Sequence, residues 1–76
     1  MKLTIRCEDK ERDYQVPKQM VIKEFLDFLY RHDHFPPSDK LESSIYSKRQ
    51  RLRISTALTF IQAEIYAGDI LEVYLL

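Results

Sequence analysis

The hydrophobic period of this chain changes twice, and those changes limit the folds open to it. Met1, Leu3, Ile5 and Cys7 fall on odd positions with Lys2, Thr4 and Arg6 between them, the two-residue period of a half-buried strand. Between Val21 and Asp33, Ile22, Phe25, Leu26 and Leu29 recur at i, i+3, i+4 and i+7, the stripe of an amphipathic helix. After Gly68 the period is two again, with Leu71, Val73 and Leu75 alternating against Glu72 and Tyr74. Strands at both ends and one helix between them predict an α+β domain in which a mixed sheet of four to five strands packs on that helix.

The segments between these elements supply the rest of the plan. Glu8 to Glu11 read as a short charged loop, and alternation resumes at Tyr14 and Val16, so the first two strands form a hairpin ended by Pro17. Phe28 and Tyr30 widen the apolar arc of the helix, Pro36 and Pro37 bar its continuation, and neither Lys18 nor Gln19 is a good N-cap. A strand is expected around Ser43 to Lys48, a turn over Lys48 to Arg51, and a short partner strand from Leu52 to Ile54. Thr59 and Gln62 have the spacing of a reciprocal cap, which predicts a brief helical turn. Gly68, the only glycine, permits a positive φ before the last strand.

At 76 residues the chain builds one hydrophobic core, so residues 1–76 are read as a single domain. Twelve basic side chains balance twelve acidic ones, and a net charge of zero gives no overall field to attract nucleic acid. The lone Cys7 forms no internal disulfide, which points to a reducing, cytoplasmic compartment, and no apolar run suits a membrane span or a signal peptide.

The order hairpin, helix, two short strands, capped turn and last strand, with Phe35-Pro36-Pro37 after the helix and the run from Thr59 to Val73, resembles the ubiquitin-like β-grasp family. Within it, the bare length, the Gly68–Val73 ending and the proline pair are most similar to the small bacterial YukD/EsaB proteins, accessories of type VII secretion. The resemblance implies a cytoplasmic protein-interaction module whose partner is a component of a larger secretion machine, with no cofactor. Conjugated relatives present a flexible diglycine tail. Here Tyr74-Leu75-Leu76 is bulky and Leu75 continues the inward alternation, so this end is expected to be held in the sheet and not activated by an enzyme.

Catalytic and metal chemistry find little support in the residues. His32 and His34 diverge at a helix end and lack a third ligand, and an inward Cys7 has no neighbouring histidine in its strand. A phosphate loop needs more than one glycine. The chain is therefore not read as an enzyme.

By parity, Ile70, Glu72 and Tyr74 face away from the helix, together with Thr4, Arg6 and Tyr46. The resemblance places Tyr46 where ubiquitin-like proteins carry their exposed recognition residue, with Tyr74 near a second member. Glu8 stands where many such patches continue with leucine, which points to a partner other than a ubiquitin receptor. The expected interface is Arg6, Tyr46, Lys48, Arg49, Ile70, Glu72 and Tyr74, with the two turn cations as a charged rim. The alternative from another class is a module that binds phosphate-rich polymer through Lys48, Arg49, Arg51 and Arg53.

Overall fold

The computed structural model describes residues 1–76 as β1 (Lys2–Cys7), β2 (Lys10–Gln15), α1 (Ile22–Asp33), β3 (Leu41–Ser47), β4 (Leu52–Ser55) and β5 (Ile70–Leu75). The five strands form one mixed sheet in the order β2-β1-β5-β3-β4. The last strand in sequence is thus the central one, parallel to β1 and antiparallel to β3. This explains its apolar character: a central strand has ladder partners on both sides, and its inward residues Leu71 and Val73 lie deep in the core.

Helix α1 covers one face. Ile22, Phe25, Leu26 and Leu29 interlock with Leu3, Ile5, Cys7, Ile45, Ile54, Leu71 and Val73, while Phe60, Ala63 and Ile65 from the segment before β5 close the end of the core. Burying each large apolar side chain contributes roughly 1.5–3 kcal/mol, so this interlocked set dominates stability. The helix has no side-chain cap at Val21. Its first amides are satisfied from elsewhere, Ile22 N–H donating to the Leu58 carbonyl and Lys23 N–H to the Thr56 carbonyl, both at 2.9 Å.

Several expected boundaries shift. β2 begins at Lys10, so the loop is only Glu8-Asp9. All its residues except Tyr14 are exposed, and an edge strand with neither face buried shows no alternation. β3 starts at Leu41, two residues earlier than expected, and Lys48 belongs to the turn. Phe28 does not widen the buried arc: it is 42% exposed and stacks on Phe25 and His32 from outside. The helix stops at His34, which adopts the left-handed conformation at φ 55 before the prolines are reached. Leu75 N-terminal to the last residue pairs with Leu41 and is half-buried, whereas the Leu76 side chain is 85% exposed although its N–H donates to the Lys40 carbonyl.

The Thr59–Gln62 cap forms reciprocally, Gln62 N–H donating to Thr59 Oγ1 and Thr59 N–H to Gln62 Oε1, each at 3.0 Å. It organises a turn and not a regular helix. Gly68 takes φ 90, as the turn into β5 requires.

Candidate functional site

The face of the sheet away from α1 is built in rungs. Strand registers align Glu11 on β2, Arg6 on β1, Glu72 on β5, Tyr46 on β3 and Arg53 on β4 across all five strands. The next rung holds Asp13, Thr4 and Ile70. Alternation puts these side chains outward because their neighbours Ile5, Leu71 and Ile45 are drawn under the helix.

Charge alternates along the main rung. Arg6 lies 3.3 Å from Glu11 and 3.5 Å from Glu72. Burial nevertheless pushes the Glu72 carboxyl above the ordinary glutamate range, Arg6 pulling it down and Glu11 adding to the rise. Arg53 pairs with Glu42 at 3.1 Å, donates to Ser44 Oγ at 3.0 Å and lies 3.9 Å over the Tyr74 ring.

A shallow depression of about 450 Å³ opens in the middle of this face, lined by Arg6, Tyr46, Lys48, Arg51, Ile70 and Glu72. Tyr46, Ile70, Arg6 and Glu72 are half-buried, while Lys48 and Arg51 are exposed. No carboxylate lies within salt-bridge distance of Lys48 or Arg51.

The turn that carries these two cations is fixed from below. The Asp69 carboxylate, buried at the start of β5, accepts from Ser47 Oγ at 2.5 Å, from Arg49 N–H at 3.0 Å and from Ile70 N–H at 2.8 Å. Lys48 N–H donates to the Ile70 carbonyl at 3.0 Å, and Arg51 N–H to the Ser47 carbonyl at 2.7 Å. Arg51 closes the turn in the left-handed region at φ 58.

Of the interface residues expected from sequence, Arg6, Tyr46, Lys48, Ile70 and Glu72 meet in the depression. Arg49 does not. Its guanidinium stacks on Tyr66 at 4.5 Å and donates to the Glu64 carbonyl, so it ties the turn to the segment before β5. Tyr74 shares the face but lies outside the depression, under Arg53. Arg51, expected only as part of the basic stretch, also lines the depression. No sequence signal tells which way each cation of a tight turn points.

Elsewhere the chemistry is quiet. Cys7 is buried, and that burial, followed by Glu8 and Glu72, raises its thiol pKa. His32 stacks on Phe28 and His34 ends the helix, both exposed. No group of three or more His, Cys, Asp or Glu side chains is arranged to hold a metal ion. No helix is long and apolar enough to cross a membrane. Compared with protein-family models and with curated proteins, the chain matches none.

Proposed function

We propose that this chain is a ubiquitin-like β-grasp domain that acts as a protein-interaction module, docking its outer sheet face on a larger assembly. The fold assignment is supported by the two terminal strands lying side by side and parallel, by one helix on one face of a five-stranded mixed sheet, and by the Thr59 cap followed by the Gly68-Asp69 turn.

The observation that carries docking is the setting of Tyr46. Tyr46 is half-buried on β3, between the central strand and the β4 edge, and lines the depression with Ile70 and three cations. A half-buried tyrosine with arginines around one depression is the composition of an interface hot spot. The resemblance to the YukD/EsaB proteins gives the context, a cytoplasmic accessory of type VII secretion. Binding of phosphate-rich polymer fits less well, because Arg49 is drawn to Tyr66 and Arg53 to Glu42 and Tyr74, leaving two free cations in the turn region where four were expected.

Co-purification of the tagged chain from its native cells tests the reading. A stoichiometric protein partner is expected with the parent chain and with Phe28→Ala, and is expected to be lost with Tyr46→Ala. Retention by Tyr46→Ala, or loss with Phe28→Ala alone, refutes outer-face docking. A partner unconnected with secretion refutes the context and leaves the docking surface in place.

A further inference from the structure

We propose that the depression on the outer face receives an acidic segment of a partner protein, seating a carboxylate between Lys48 and Arg51 and an apolar side chain against Tyr46 and Ile70. This inference rests on the outer-face docking reading and adds the chemistry of the partner.

The charge balance of the depression points that way. Among its lining residues Arg6, Lys48 and Arg51 are cationic and Glu72 is the one anion. Arg6 is shared between Glu11 and Glu72 and so is already compensated. Lys48 and Arg51 are exposed and unpaired at one end, and a partner carboxylate there completes the pattern of alternating charge that the rest of the face already shows. Arginine offers a carboxylate a two-pronged donor fork, and lysine a second charge beside it.

The site is also pre-organised. The backbone amides of Lys48, Arg49 and Arg51 are each tied to buried or paired acceptors, at 3.0, 3.0 and 2.7 Å. Little ordering of the turn remains to oppose binding. Arg51 sits at φ 58, a conformation that glycine adopts without steric cost and an arginine does not. An arginine at this position places a cation on the depression.

A protein segment suits this face better than a nucleic acid. A polyanion lays down a regular row of phosphates, and here Glu11, Glu72 and Asp13 lie on the same face as the two free cations. A single carboxylate entering from the turn end meets Lys48 and Arg51, the Glu72 of the depression being already paired with Arg6, and the half-buried Tyr46 and Ile70 give an adjacent apolar side chain somewhere to rest.

Two short peptides of equal length test the inference, one with Asp and Glu flanking Leu and Phe, the other with Asn and Gln in their place. Each is titrated at low salt into the isotope-labelled chain and followed by amide spectra. The acidic peptide is expected to shift Tyr46, Lys48, Arg51 and Ile70 saturably and to bind at least about tenfold more tightly than the amide peptide, a difference of about 1.4 kcal/mol. Lys48→Glu with Arg51→Glu is expected to lose that preference and to prefer a Lys/Arg version of the same peptide. Equal binding of the two peptides, no saturable shift, shifts centred elsewhere, or tighter occupancy of the same residues by a single-stranded oligonucleotide each overturns it. The doubly reversed chain, carried into the co-purification, separates the two levels. Retention of the Tyr46-dependent partner refutes the acidic segment and leaves docking standing, whereas a partner that never depended on Tyr46 refutes docking itself.

Discussion

The Ser47 hydroxyl donates to the Asp69 carboxylate at 2.5 Å with both residues buried, joining the end of β3 to the start of β5 directly beneath the turn that carries Lys48 and Arg51. A buried carboxylate is costly to desolvate unless it is surrounded by donors, and Asp69 has three. The geometry of the outer face therefore depends on a residue that never reaches it.

Replacing Asp69 by Ala takes this acceptor from the Ser47 hydroxyl proton and from the Arg49 and Ile70 amides. The expected cost is about 2–3 kcal/mol of unfolding free energy. That corresponds to a fall in Tm of roughly 8–24 °C for a domain of this size. Asp69→Asn keeps one oxygen for the Arg49 and Ile70 amides, and its NH₂ donates to a Ser47 hydroxyl that reverses its role, so most of the loss is expected to return. Thermal unfolding of the two variants checks this, and equal damage from both removes the hydrogen-bond explanation.

A second anchor gives a pH signature. Tyr14 Oη donates to Asp33 Oδ2 at 2.5 Å and Arg12 Nη1 donates to the same oxygen at 3.0 Å, fastening β2 to the end of α1. The Tyr14 and Arg12 hydrogen bonds hold the Asp33 carboxyl below its usual range, while burial and the bond to Asp33 push the Tyr14 phenol up to about 12. A raised tyrosine pKa favours the neutral phenol in the folded state, so its contribution is complete below the ordinary value of 10.0 and is lost as pH rises toward about 12. The lowered Asp33 acts oppositely: its contribution is present above the ordinary carboxylate range and is lost as pH falls through the lowered value. Denaturant midpoints measured against pH are expected to drop on the alkaline side in the parent chain and to drop less there in Tyr14→Phe, the raised Cys7 thiol supplying the fall that remains.

Four residues other than glycine occupy left-handed backbone: Glu8, His34, Arg51 and Glu64, at φ between 54 and 58. The steric cost for an L-residue is roughly 1–2 kcal/mol, partly offset in glycine by its greater loss of chain entropy. His34→Gly and Arg51→Gly are each expected to stabilise the fold by about 0.5–1 kcal/mol, read as a higher urea midpoint. Arg51→Gly is expected to weaken acidic-peptide binding at the same time, while His34→Gly leaves it unchanged. A stabilised Arg51→Gly with unaltered binding excludes Arg51 from the site.

Where one face of an element is buried, its period could be read directly. Leu3, Ile5 and Cys7, then Ile22, Phe25, Leu26 and Leu29, then Leu71 and Val73 are the core, and outward parity brought Arg6, Tyr46, Ile70 and Glu72 to one face. Lys10 to Asp13 concealed a strand because no side of that edge is covered, so hydrophobicity has nothing to report. The chain also builds tight turns with charged residues in left-handed conformations that usually announce themselves through glycine. Arg49 illustrates the remaining gap: it is two positions from Arg51 in the same turn, but a stack on Tyr66 turns it off the face, and that contact joins segments distant in sequence.

Site-specific photo-crosslinking in living cells tests outer-face docking most directly, with a photoreactive phenylalanine, which keeps an aromatic ring, placed at position 46 in one chain and at position 28, the exposed aromatic position on the helix side, in another. A discrete crosslink to one protein from position 46, none from position 28, and loss of the first on adding Lys48→Glu with Arg51→Glu is the expected result. A crosslink from position 28 without one from position 46, or none from either, contradicts it.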